Sequence, residues 1–157
     1  MNVDPYIMDF LKRNSVAVLA TANKVDATPH AAAVFYEPDT HANLFFLTKK
    51  DTAKTKNLED NPQADMVIIE PQSLLTAQIS GKVRQMTDPV MLGKALRIMS
   101  RHSMEIAGTP ETPISKLNAG NSILYMLRPE SIRLGDYKYG ARDFIFDTAT
   151  PAEQSLE

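Results

Sequence analysis

Short apolar segments separated by turn-forming residues are the feature that most constrains the fold of this chain. Each segment is rich in β-branched, aromatic or small apolar residues, and clusters of Asn, Asp, Pro and Gly divide one segment from the next. These segments predict strands at residues 16–22, 29–36, 44–47, 64–69, 74–86, 122–127 and 131–134. Strands that follow one another through short turns pair antiparallel. The pattern therefore predicts a mainly β fold, a barrel of about six antiparallel strands with flanking helices.

Helix start signals stand at two places between or before these strands. Asp4 precedes Pro5, a sequence typical of an N-cap and a first helical position, and Asp88 precedes Pro89 in the same way. The second of these helices is expected to continue to about residue 102, and another helix is expected at residues 51–60. Gly81 interrupts the long fifth strand, where glycine often marks a bulge or a bend at a barrel corner.

Residues 43–62, NLFFLTKKDTAKTKNLEDNP, carry the strongest functional pattern. An apolar strand leads directly into a cluster of threonines and lysines that opens the helix expected at residues 51–60. The cluster consists of Thr48, Lys49, Lys50, Thr52, Lys54, Thr55 and Lys56. A helix start directs backbone N–H groups and the positive end of the helix dipole outward, which favours an anion. Lysine charge and hydroxyl donors beside it predict a phosphate site. The alternative is a solvated, lysine-rich surface helix.

Composition and charge exclude several classes of protein. The formal net charge is −2 and the pI is about 5.9, which argues against a general nucleic-acid binder. The chain has no cysteine, so it forms no disulfide, in keeping with a cytoplasmic location. We find no signal-peptide pattern and no apolar run long enough for a membrane span. We expect one domain at residues 1–147, followed by a disordered tail at 148–157.

Histidines and other reactive residues form no recognisable catalytic or metal motif. His30, His41 and His102 lack HxxxH spacing, so a zinc site is not expected. The sequence contains no nucleophile elbow, P-loop or GxGxxG segment.

The order of three segments resembles the FMN-binding split-barrel family that includes pyridoxamine 5'-phosphate oxidase. These segments are VAVLATANKVDATPHAAAVFY, LFFLTKKDTAKTKNLEDNPQADMVI and AQISGKVRQMTD, which together span about residues 10–105. The resemblance implies a split β-barrel that works as a homodimer, with FMN at the interface and touched by both subunits. It implies that Thr48, Thr52 and Lys54 hold the phosphate, with Lys49 and Lys56 nearby.

The resemblance also assigns residues to the flavin ring. It places His30, Ala31, Ala32 and Ala33 of the second strand beside the ring, although tight strand packing would equally explain these small side chains. Polar contacts are expected from Thr76 and Gln78. Tyr137 and Tyr139 could cover a flavin from the partner subunit, or pack against their own barrel.

Two departures from the oxidase pattern limit the functional expectation. Ala53 stands where the oxidases usually place an arginine, and no arginine–histidine pair follows residue 105. We therefore expect an FMN-dependent oxidoreductase whose substrate is a small organic molecule or a nicotinamide donor, rather than an oxidase of vitamin B6. A non-catalytic flavin carrier or sensor is an alternative, as is a split barrel that binds haem or a deazaflavin. Neither nucleic acid nor a membrane is expected as a partner.

Overall fold

Six antiparallel strands close into a barrel in the computed structural model, which describes residues 3–93, 121–138 and 142–147, the last of these as backbone. The elements are α1 (Pro5–Arg13), β1 (Val16–Ala22), β2 (Pro29–Pro38), β3 (Leu44–Lys49), α2 (Ala53–Asp60), β4 (Gln63–Glu70), β5 (Leu75–Met86), β6 (Ser122–Asp136) and β7 (Arg142–Asp147). The strand order is β3-β2-β1-β4-β5-β6-β7, and an additional pairing of β3 with β6 completes the barrel. The predicted mainly β barrel of six strands is confirmed.

The late part of the chain differs from the sequence-based prediction in two ways. The two strands expected at residues 122–127 and 131–134 form one continuous strand, β6, because Pro129 lies at a bulge that bends the strand without ending it. A seventh strand, β7, which the sequence did not predict, pairs along the outer edge of β6. The expectations for residues 94–120, for Tyr139 and for the tail at 148–157 fall outside the described residues.

Helix α1 covers one end of the barrel. Asp4 caps it by accepting a hydrogen bond from the Tyr6 N–H at 2.7 Å, as its sequence predicts. Its buried face consists of Ile7, Phe10 and Leu11, all with no exposed surface. The Tyr36 hydroxyl donates to the Leu11 carbonyl at 2.9 Å, so the helix is tied to β2 by a buried hydrogen bond as well as by packing. We call this the α1 end of the barrel.

An ion pair fastens the last turn of α1 to the end of β4. The Arg13 guanidinium donates to both carboxylate oxygens of Glu70, at 2.7 and 3.0 Å, and it also contacts Asp9 at 2.7 Å. The side chains of Asn14 and Ser73 donate to the same Glu70 carboxylate. The Arg13 hydrogen bond is the main cause that lowers the pKa of Glu70 to about 2.

At Gly81 the backbones of β5 and β6 approach each other closely. The strand register shifts between Ser80 and Gly81, which confirms the predicted bulge. A Cβ atom at residue 81 would lie 2.2 Å from the Arg128 carbonyl oxygen, a backbone atom that cannot rotate away. Glycine is therefore required at this position by the pairing itself.

Gly81→Ala should lower the free energy of unfolding by about 2–3 kcal/mol, because the new methyl group must displace backbone. Urea unfolding measures this change. Gly93→Ala is the matched control, since no atom of the described residues lies within 4 Å of a Cβ there. Equal stability of the two variants would contradict the assigned role of Gly81.

Glu70→Gln should make the protein less stable at pH 7 by about 1 kcal/mol, the upper range for a partly exposed ion pair. The folded state lowers the pKa of Glu70 from 4.5 to about 2. The stabilisation is therefore present above the unfolded pKa and is lost as the pH falls through the folded pKa. Urea unfolding at several pH values should show that the stability difference between Glu70→Gln and the wild type becomes smaller as the pH falls below 4.5, the unfolded pKa of Glu70. Asp60→Asn is the control, because Asp60 is exposed. A difference that does not change with pH would contradict this account.

Candidate functional site

The connection between β3 and α2 forms a compact, hydrogen-bonded turn. Asp51 has a φ of 58°, the left-handed conformation that Asp adopts more readily than most residues, and it turns the chain from the strand into the helix. Helix α2 begins at Ala53, two residues later than expected, and Thr52 is its N-cap. The Thr52 backbone N–H donates to the Thr55 hydroxyl oxygen at 3.0 Å, and the Thr55 hydroxyl donates to the Thr52 carbonyl at 2.8 Å. These bonds hold the first turn of α2 in a fixed orientation.

Backbone N–H groups at this helix start are available to a ligand. The Lys56 N–H donates to the Thr52 carbonyl at 3.1 Å and is the first to make the regular helical bond. The N–H groups of residues 53 and 54 precede it, and a helix gives such groups no intrahelical acceptor. The Thr55 N–H is directed instead at the Thr52 hydroxyl oxygen, as in a capping box. The positive end of the helix dipole lies in the same place.

The predicted phosphate-site residues occupy different environments. Thr48 is buried and points inward, with only 5% of its surface exposed, so its hydroxyl does not line an open surface. Lys49 and Lys56 are exposed, as a solvated helix surface would have them. The Thr52 hydroxyl lies 3.4 Å from the Lys49 carbonyl, to which it donates. Of the three lysines Lys49, Lys54 and Lys56, Lys54 alone is half-buried.

Lys54 is partly buried, and burial lowers the pKa of its amine. Among the residues that the structure describes, no carboxylate forms an ion pair with it. Withdrawing an ammonium group from water without an opposite charge is unfavourable, so this arrangement favours an anion as the missing partner. The solvated-surface interpretation accounts for Lys49 and Lys56 but not for Lys54.

Buried polar contacts fix α2 against the barrel. The Asn57 side chain donates to the Thr21 hydroxyl of β1 at 3.1 Å, and both residues are buried. One turn further on, the Asn61 amide donates to the Ala22 carbonyl at 3.3 Å. Because Lys54 lies one helical turn before Asn57, it stands on the same side of α2 as these contacts. The helix that carries Lys54 is therefore attached to β1 and does not move independently.

Strand alternation separates the four residues that the sequence grouped beside the flavin ring. His30 and Ala32 pair with Thr21 and Leu19, which face the interior, so these two residues point inward. Ala31 and Ala33 point outward and are exposed. The His30 Nδ1 atom is buried and has no hydrogen-bond partner among the described residues.

One continuous outer surface contains the remaining predicted residues. Its central row runs from Ala33 through Val18 and Val67 to Gln78, each paired with the next across neighbouring strands. Four strands at the usual spacing make this row about 14 Å wide. Thr76 lies one row nearer the α1 end, beside Ile69. We call this surface, on β2, β1, β4 and β5, the outer face.

The outer face exposes apolar side chains that the sequence pattern predicts to be buried. The apolar segment 16–22 is typical of a buried strand, but 46% of Val16 and 39% of Val18 are exposed, and so is 57% of Ile69 on β4. Only alternate residues of β1 enter the core. Exposed β-branched side chains grouped on one sheet face are typical of an interaction surface. Tyr137 also lies close to this face, because a Cβ on Gly135 would contact both its ring and the Thr76 hydroxyl at 3.0 Å.

A family model described as pyridoxamine 5'-phosphate oxidase matches residues 3–134. The chain belongs to this family. Members typically bind flavin. No curated protein matches the chain. The membership agrees with the resemblance inferred from the segments around the β3–α2 turn.

Solved structures with low sequence identity share the fold. An FMN-binding protein from Nostoc punctiforme related to pyridoxamine 5'-phosphate oxidase is 16% identical, with a TM-score of 0.67 over 94% of this chain and 93% of its own. HutZ, the haem storage protein of Vibrio cholerae, is 20% identical, with a TM-score of 0.63 over 83% and 92%. An F420 reductase is 22% identical, with a TM-score of 0.66 over 83% and 98%.

Two other kinds of feature, a metal-binding group and a membrane-spanning helix, are absent from the described part of the chain. In residues 3–93, 121–138 and 142–147, no group of three or more His, Asp or Glu could hold a metal ion. Over the same residues, no helix combines the length and the apolar character that crossing a membrane requires.

Proposed function

We propose that this protein binds FMN and acts as a flavin-dependent oxidoreductase on a substrate not yet identified. The observation that carries the proposal is Lys54, a partly buried ammonium group without a described acidic partner at the start of a fixed helix. The family supports flavin as the ligand. The FMN phosphate is the anion that would compensate this charge.

The residues present fit FMN in chemistry. Lys54 and the first-turn N–H groups would hold the phosphate, with the Thr52 hydroxyl beside them. Ala31 and Ala33 would allow the flat ring to lie close to the β2 backbone, and Thr76 and Gln78 would supply polar contacts. Thr48 and Ala32 face the interior, so we propose that they support the site without touching the ligand.

A bound flavin supplies the redox chemistry, and the protein supplies position and charge. Hydride transfer requires no acid or base from the chain, so the lack of a catalytic motif is compatible with this activity. The electron donor would be a reduced nicotinamide or a small organic substrate. Ala53, in place of an arginine, supports a substrate other than a vitamin B6 phosphate.

A homodimer is part of the proposal, with the outer face as its interface. Val16, Val18 and Ile69 expose apolar surface on the same face as the proposed ring contacts. A second copy that covers this face would remove the apolar surface from water and enclose the ring between two subunits. Each site would then be completed by both copies.

Lys54→Ala should weaken FMN binding by about 1.5–3 kcal/mol, the value of a hydrogen bond to a charged group. Titration with FMN, followed by fluorescence quenching, gives the dissociation constant. Lys56→Ala is the matched control, because Lys56 belongs to the same helix but is exposed. Equal losses in the two variants, or no loss in either, would contradict the assignment of Lys54.

The same titration separates the alternatives. Haem or a deazaflavin that binds more tightly than FMN would overturn the choice of cofactor, and two structural neighbours make these the ligands to compare. FMN binding without turnover of NADH, NADPH or oxygen would favour a carrier or sensor over an enzyme.

Val18→Asp should dissociate the homodimer at micromolar concentration, since it would bury an unpaired carboxylate in the interface. Light scattering coupled to size-exclusion chromatography measures the mass. Val25→Asp is the control, because Val25 is 92% exposed in the β1–β2 turn. A wild-type monomer, or a Val18→Asp dimer of unchanged stability, would count against the proposed interface.

A further inference from the structure

Three cationic side chains occupy neighbouring positions on the outside of β5 and β6. Lys82 and Arg128 are direct cross-strand partners, and Arg84 is two residues along β5 from Lys82, so all three project from the same face. All are exposed. Cross-strand neighbours are about 5 Å apart and diagonal neighbours about 7–8 Å apart, within reach of long side chains. We call these residues the β5–β6 cationic cluster.

The charges of this cluster are incompletely compensated. Lys82 lies 3.5 Å from the Glu130 carboxylate, and that carboxylate also accepts a hydrogen bond from Gln63 at 3.4 Å. Neither Arg84 nor Arg128 has an acidic partner among the described residues. Like charges placed directly opposite each other on a sheet are destabilising. An anion bound between them would remove this repulsion.

We infer that the β5–β6 cationic cluster binds the diphosphate group of a small ligand. Arginine presents a planar fork of N–H donors that matches phosphate oxygens in pairs, and lysine adds a third positive charge. Three cations within one small area match two adjacent phosphate groups. This inference is independent of flavin binding, because Lys54 belongs to α2 and takes no part in the cluster.

The surroundings of the cluster favour a small anion over a macromolecule. A nucleic-acid-binding surface usually has an excess of basic residues arranged in an extended stripe. This chain has a net charge of −2, and the cluster contains only three cations. A protein interface needs a buried apolar or aromatic anchor at its centre. Here the direct neighbours of the cluster are Ser80 on β5, Gln63 on β4 and Met126 on β6, and Met126 is already buried, so none offers an exposed apolar anchor.

A bulge in β6 lies beside two of the three side chains. Gly81 pairs with Pro129 and Ser80 with Ser131, so the extra residue is Glu130, two residues after Arg128. A bulge increases local twist and redirects the side chains beside it. The same backbone feature that bends the barrel therefore lies directly beside the cross-strand pair Lys82 and Arg128.

Calorimetric titration with inorganic pyrophosphate, at constant ionic strength, tests the inference. The double variant Arg84→Gln/Arg128→Gln should weaken pyrophosphate binding by about tenfold or more, because it removes two charge-assisted contacts. Lys12→Gln/Lys24→Gln is the matched control, since both lysines are exposed and the change in charge is the same. Lys54→Gln removes the lysine of the separate phosphate site proposed on α2, so this variant should keep pyrophosphate binding at the β5–β6 cationic cluster.

NMR of the arginine Nε–H groups in the wild-type protein gives a second readout that needs no variant. Pyrophosphate should shift the Arg84 and Arg128 signals, and chloride should not. The inference is overturned if the wild type binds no pyrophosphate, or if Lys54→Gln abolishes all binding. It is also overturned if a short single-stranded oligonucleotide or an acidic peptide binds the cluster more tightly than pyrophosphate does.

Discussion

The pairing of β3 with β6 is the interaction on which the rest of the structure depends. Six residue pairs, from Leu44 with Leu127 to Lys49 with Ser122, join two strands far apart in the sequence and turn an open sheet into a barrel. Closure assigns every strand residue to the inside or the outside, because successive side chains alternate. It also places the end of β3 next to the start of β6, where α2 must begin.

The cost of burying Lys54 is the physical link between this fold and the proposed function. The hydrogen bonds from Asn57 to Thr21 and from Asn61 to Ala22 hold α2 against the barrel, and they fix the backbone position of Lys54. A lysine on a freely exposed helix would be fully hydrated and would bind a phosphate weakly. Restricting the amine before the ligand arrives means that less freedom is lost on binding.

Local patterns predicted most of the barrel, but not what depends on distant pairing. The N-cap at Asp4 and the bulge at Gly81 follow from residue type alone, and both are confirmed. Pro129 suggested a break between two strands, whereas the bulge opposite Gly81 accommodates it within β6. The strand β7 carries only a weak local signal and forms along an edge that β6 provides.

Side-chain direction was the main limit on predicting the candidate site. The segment from His30 to Ala33 could be assigned to a strand, but its division into inward and outward residues depends on the register with β1. The apolar outer face and the Asn57–Thr21 bond likewise involve residues that the sequence does not bring together. In contrast, the helix start at Thr52 could be found because its hydroxyls and lysines are consecutive.

The visible absorption spectrum of the purified protein, recorded after incubation with FMN and desalting, tests the central claim most directly. The account predicts a retained flavin spectrum in the wild type, with one FMN per subunit, and its loss in Lys54→Ala but not in Lys56→Ala. A wild-type protein that emerges colourless, or that retains FMN equally well without the Lys54 amine, would contradict it.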